Sequence, residues 1–196
     1  MSKKTTKMPK YIAIFASGSG SNAENIIRYF KNSDTFLFPI IISNKSDAFV
    51  HERAKNLGIP SVTFSREDFN QPEKILKLLD FYKIDFIVLA GFLLKISPDI
   101  IHAFPNKIIN IHPALLPKYG GKGMYGHHVH EVVKLSGEKE SGITIHYVNE
   151  NYDEGNIISQ VKCKIDKNDS PNDIAAKVHA LEYEFFPKVI EEIFGL

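Results

Sequence analysis

The segment Asn110-Ile111-His112-Pro113-Ala114-Leu115-Leu116-Pro117 carries the residue types in this chain best suited to chemistry. Alternate side chains of an extended strand share a face, so Asn110 and His112 point the same way, about 7 Å apart. An amide donor and an imidazole aimed at one point can stabilise a developing oxyanion, and the imidazole can also move a proton. A lone buried histidine is more often tied to a backbone carbonyl. Here its place at a strand end, beside a long proline-bounded loop, favours the chemical role. Such a histidine needs a group that orients or charges it. The loop Asn149–Gly155 offers Glu150, Asp153 and Glu154, and spacing does not choose among them.

A second constellation, Ser17-Gly18-Ser19-Gly20-Ser21-Asn22, lies between an apolar strand and a helical pattern. Glycines there let backbone approach a ligand, and the amides of a helix start favour an anion, most simply a phosphate. A plain tight turn with Ser21 or Asn22 as helix cap is the bland alternative. Gly18, Gly20 and Ala23 also fit G-x-G-x-x-A, but a dinucleotide site wants an acid at the end of the second strand. That strand ends Ser43-Asn44-Lys45, and there is no Walker lysine, so the dinucleotide and nucleoside triphosphate readings are weak. His127, His128 and His130 lack the cysteine or H-E-x-x-H context of a metal site, and adjacent histidines on a helix point to different faces. The cluster reads as a polar surface leading into a helix, with a place near the phosphate open to it.

The elements that must position these groups follow from hydrophobic period. Short apolar runs at 11–16, 36–43, 61–64, 85–90 and 107–112 alternate with helical patterns at 22–31, 47–57, 71–82 and from Ser97. Strands alternating with crossover helices predict an α/β fold with a doubly wound, mostly parallel open sheet, whose crevice lies at the strands' carboxyl ends. The last third differs. A helix over 127–136 and strands over 142–148 and 156–164 predict an antiparallel addition at the sheet edge. A C-terminal helix over 172–194 follows, with its apolar stripe on the sheet.

The 196 residues suit one domain over 11–196, preceded by a frayed basic tail over 1–10 with no secretory pattern. Net charge is +1, which disfavours a nucleic-acid binder, and the longest strongly apolar run, Phe86–Leu94, is far short of a membrane span. The one cysteine, Cys163, makes no internal disulfide and fits a reducing compartment.

Taken together, S-G-S-G-S-N at 17–22, S-N-K-S-D-A at 43–48, L-A-G-F at 89–92, N-I-H-P-A-L-L-P-K-Y at 110–119 and D-E-G at 153–155 resemble the folate-dependent phosphoribosylglycinamide formyltransferases. The resemblance implies a Rossmann-like formyltransferase fold and transfer of a formyl group from 10-formyltetrahydrofolate to 5-phosphoribosylglycinamide in purine synthesis. It implies Asn110, His112 and Asp153 as the catalytic set, with His112 kept protonated by Asp153. The substrate phosphate would lie on Gly18, Ser19, Gly20, Ser21 and Asn22, with Glu182 contacting the same molecule. Folate-binding positions would be Arg66, Asn110 and the backbone of Leu93, Leu94, Lys95 and Ile96. No metal is called for. The partners would be these two small molecules, not nucleic acid or membrane, acting on a cytoplasmic monomer or weak homodimer. Two departures stand out: a lengthened loop over Gly120–Gly126, and Glu154-Gly155 where the family has a glycine pair.

Overall fold

The computed structural model describes residues 8–195. Fourteen elements follow in chain order: β1 (Lys10–Phe15), α1 (Ser21–Tyr29), β2 (Phe36–Ser43), α2 (Val50–Leu57), β3 (Ser61–Thr63), α3 (Arg66–Asn70), α4 (Glu73–Phe81), β4 (Phe86–Leu89), α5 (Pro98–Ala103), β5 (Ile108–His112), α6 (His127–Leu135), β6 (Glu140–Tyr147), β7 (Ile157–Lys164) and α7 (Pro171–Phe194). The strands form one sheet in the order β3-β2-β1-β4-β5-β6-β7. The first five run parallel, and β5–β6 and β6–β7 are antiparallel. This is the doubly wound sheet with an antiparallel edge that the apolar spacing predicts.

Strand alternation divides the core. Ile12 and Ile14 of β1, with Ile109 and Ile111 of β5, pack under α1, α2 and α7. Ala13 and Phe15 of β1, with Ile108 of β5, pack under α3, α4 and α5. Buried on both faces, these strands have to be nearly continuous in apolar residues. On β5 the second face changes character past Ile108, where Asn110 and His112 occupy the positions that alternation assigns to it.

Two boundaries differ from the expectation. Lys10 pairs with Phe36 and donates its amide to Thr35, so β1 begins inside the segment expected as tail; residues 1–7 of that segment lie outside the described residues. The pattern also leaves α3 unassigned. Its signal is local chemistry instead of period: Ser65 and Asp68 form a reciprocal capping box.

Candidate active site

The order of the strands places the switch in winding direction between β1 and β4, and the loops that leave their carboxyl ends meet there. Ser17 holds the two together. Its amide donates to Gly91, its hydroxyl donates to Asn44 Oδ1 after β2, and the same hydroxyl accepts from the Leu93 amide at 2.8 Å. The segment 93–96, expected to line the folate site, is thereby fixed to the segment expected to hold phosphate. Leu93 and Lys95 are exposed, Leu94 is half-buried and the Ile96 side chain belongs to the core, which leaves only backbone of Ile96 for a ligand.

Gly20 caps α1 with φ +73, and a Cβ there would stand 2.4 Å from a Val50 methyl. Both the conformation and the space require glycine. Gly18 is under no such constraint, since nothing lies within 4 Å of its would-be Cβ. The first intrahelical bond of α1 is made by Glu24, so the amides of Ser21, Asn22 and Ala23 precede it at the positive end of the helix. Glu24 itself is neutralised by Arg28 and Arg53, which hold its carboxyl below the usual range, and Arg53 also donates to the Ser19 carbonyl.

Asn22 links this corner to α7. Its Nδ2 donates to Glu182 Oε2 at 2.9 Å, and His179 Nδ1 reaches the same oxygen at 2.8 Å. That contact raises the His179 pKa. Glu182 is buried, and these two contacts satisfy its Oε2. His130, expected on a polar surface, is instead 2% exposed, with its ring 6.3 Å from that of His179. Asn22 Oδ1 and His130 Nδ1 are buried without a hydrogen-bond partner among the described residues, and each such atom costs roughly 1–3 kcal/mol.

The other end of the site is built on β5 and β6. Their register sets Asn110 opposite His146 and His112 opposite Thr144, so all four side chains share one face. Asn110 Nδ2 donates to His146 Nε2 at 3.1 Å, and His146 Nδ1 donates to the Tyr147 carbonyl at 2.8 Å. The remaining amide hydrogen of Asn110 is therefore aimed by a fixed ring. His112 Nε2 donates to the Tyr119 carbonyl at 2.7 Å, and its Nδ1 lies 3.5 Å from Asp153 Oδ2. The second oxygen of Asp153 stands 3.6 Å from His146 Nε2. Of the three loop acids it is Asp153 that reaches the histidine; Glu150 pairs with His102 and Glu154 is exposed.

Asp153 and Tyr119 adopt positive φ values of 55° and 58°. The Gly121 amide donates to Asp153 Oδ2, and Glu138 accepts from the Tyr119 hydroxyl at 2.8 Å and from Lys118. The lengthened loop thus starts on the Asp153 carboxylate, and a cleft of about 360 Å³ opens there between Leu116–Gly121 and Tyr152–Gly155. Glu154 is exposed, whereas a Cβ at Gly155 would fall 1.7 Å from the Tyr147 carbonyl oxygen.

The electrostatics differ from the expected protonated histidine. Burial pushes the His112 pKa below its ordinary value, outweighing the pull of Asp153 and the Tyr119 carbonyl. Burial also acts to raise Asp153, but His146, His112 and the Gly121 amide together hold it low. The resting pair is a neutral ring beside an ionised carboxylate, so a proton taken up at His112 Nδ1 is stabilised by Asp153 and readily given back.

Asn110, His112 and Asp153 are thus brought together, as are residues 18–22 with Glu182. Arg66 is not. It opens α3 after the edge strand β3, four strand spacings or about 19 Å from β5, exposed and with no ion pair among the described residues. Sequence reasoning missed Ser17 as a junction, His146 as the support of Asn110, and the Tyr119 carbonyl. For His146 the alternation of Thr144 and His146 shows a shared face, but only the register opposite β5 shows that this face meets Asn110 and His112.

Residues 10–190 match the family model described as formyl transferase. A phosphoribosylglycinamide formyltransferase of chloroplasts from Arabidopsis thaliana is 39% identical over 193 residues, covering 94% of this chain and 65% of the plant protein; this chain spans just under two thirds of that relative. The Bacillus subtilis protein called phosphoribosylglycinamide formyltransferase is 35% identical, covering 95% of this chain and 96% of its own. Among solved structures, glycinamide ribonucleotide transformylase 1 from Geobacillus kaustophilus superposes with a TM-score of 0.87 at 33% identity, covering 95% of this chain and all of that one. The enzyme from Streptococcus pneumoniae gives 0.83 at 34% identity, over 94% and 99%. With its strand order, its Asn-His-Asp cluster and these likenesses, the chain belongs to the formyl transferase family.

Proposed function

We propose that this protein transfers the formyl group of 10-formyltetrahydrofolate to the amine of 5-phosphoribosylglycinamide. The observation that carries the reading is the convergence of the Asn110 amide, the His112 ring and the Asp153 carboxylate at the end of β5. The helix-start amides that suit a phosphate lie in the same crevice. The relatives' names give the amine substrate and the formyl group, and the residues present suit that amine and a folate donor. Amides at the start of α1 take the phosphate, Glu182 accepts from sugar hydroxyls, and the exposed Leu93 and backbone of 93–96 offer an apolar, hydrogen-bonding edge to a folate. Arg66 serves the distant acidic end of that extended molecule.

In the reaction the amine nitrogen bonds to the formyl carbon, and the carbon's bond to the folate nitrogen breaks. Asn110 donates its free amide hydrogen to the oxygen that becomes negative between those events. His112 takes the proton the amine sheds, holds it beside Asp153, and returns it to the departing nitrogen. Its Nε2–H stays on the Tyr119 carbonyl throughout, which keeps the ring in plane. The reading carries a single catalytic unit and a cytoplasmic monomer or weak homodimer, for which sedimentation at two concentrations is the check.

The deciding experiment follows deformylated folate by absorbance with and without the phosphoribosyl amine, in wild type and His112→Ala. Amine-dependent turnover that His112→Ala abolishes is the expected result. Turnover without the amine makes the protein a hydrolase instead, and none in either condition leaves a binding protein.

A further inference from the structure

Between the phosphate corner and the Asn110–His112 end lies a stretch of crevice wall made by α6 and α7. Any molecule held by its phosphate at α1 and reacting through its amine beside His112 must cross it. His130 of α6 faces this stretch. It is buried, and the charges of Glu182, which touches the α1 corner, and of His112 both reach it, as do those of His179 on α7 and His127 on its own helix. Its Nδ1 has no hydrogen-bond partner among the described residues, although it is shut off from solvent. On the α1 side, Asn22 Oδ1 is in the same condition while its Nδ2 is tied to Glu182.

Two polar atoms buried without partners, flanking one carboxylate, are poorly explained by packing. A phenyl ring would fill the His130 site without stripping water from a nitrogen. A bound molecule that reaches into this wall would satisfy both atoms.

We propose that His130 is a specificity-determining residue for the amine substrate, its Nδ1 hydrogen-bonding the polar middle of the molecule, the sugar hydroxyls or the glycinamide amide, between phosphate and attacking amine. The inference rests on the transfer reading above. Because burial holds the His130 pKa down at about 4, the ring enters that contact neutral at physiological pH, with one nitrogen a donor and the other an acceptor.

The test compares wild type, His130→Phe and His130→Gln. Titration calorimetry gives the Kd of 5-phosphoribosylglycinamide, steady-state kinetics give KM for each substrate, and inorganic phosphate serves as a competitive probe of the α1 corner alone. His130→Phe is expected to raise Kd and KM for the amine about tenfold, with His130→Gln recovering part of the loss. The folate KM and phosphate inhibition should stay at wild-type values. A His130→Phe variant that binds the amine as tightly as wild type overturns the proposal. So does a parallel rise in both KM values with a lower Tm, which would mark a packing residue. If the phenylalanine variant does not fold, an unchanged amine Kd in His130→Gln together with one in His130→Asn has the same force. Wild-type protein that transfers no formyl group defeats the transfer reading itself, a result separate from either of these.

Discussion

The two ends of this crevice are made in different ways. The β1–α1 corner is backbone: helix-start amides, a left-handed Gly20 lodged against Val50, and carbonyls of Gly18 and Ser19 tied to the Val50 amide and to Arg53. The β5–β6 edge is side chain: one amide, two imidazoles and a carboxylate, each next to another of the set, with Tyr119 and Asp153 at positive φ. A site made of amides tolerates exchange of side chains but not displacement of its chain path. A site made of side chains has the opposite sensitivity. The parallel half can supply only the first kind at its loops, whereas an antiparallel pair brings four side chains on one face within reach of each other.

The contrast predicts where substitutions act. His112→Ala and Asn110→Ala should lower kcat about 10²–10⁴-fold and 10²–10³-fold, with melting temperature little changed; retention of more than a tenth of turnover in either would break the contrast. Acidification acts on stability next. His130, at about 4 when folded and 6.5 when unfolded, takes up protons in the unfolded chain first. Stability should therefore be lost as pH falls from 6.5 through 4, by about 2–3 kcal/mol at the lower limit. Melting curves across that range should flatten in His130→Phe.

Gly20→Ala should cost roughly 1–3 kcal/mol, because both φ and Val50 oppose it, and Val50→Ala in the same chain should restore part of that. Gly18→Ala sharpens the comparison most. With open space around the new methyl it should leave the melting temperature within about a degree, while crowding a bound phosphate and raising KM for the phosphate-bearing substrate alone. If Gly18→Ala and Gly20→Ala lose stability equally, the corner is not the frame described here.

The same division governs what the sequence discloses. Strands buried on both faces are legible as apolar runs, and the pair Asn110 and His112 is legible from a period of two. His146 is not, because Thr-Ile-His-Tyr looks like any half-buried strand until the register opposite β5 is known. The acid in 149–155 was identifiable only by resemblance, since spacing treats Glu150, Asp153 and Glu154 alike. The Tyr119 carbonyl leaves no trace in residue type, being a backbone atom placed by an αL turn. The cluster His127, His128 and His130 carries no metal pattern and so reads as polar surface, and only the packing of α6 on α7 shows that His130 is the one turned inward.

The pairing of β5 with β6 has one more implication. Strand register moves in whole residues, and a slip of one sends every side chain to the other face. Such a slip on β6 would carry Thr144 and His146 into the hydrocarbon under α7, and set Ile143 and Ile145 beside His112 and Asn110. No intermediate alignment supplies half of the constellation. Competence at this edge is a binary property, acquired in the same step that zips the two strands and forfeited whole when they part.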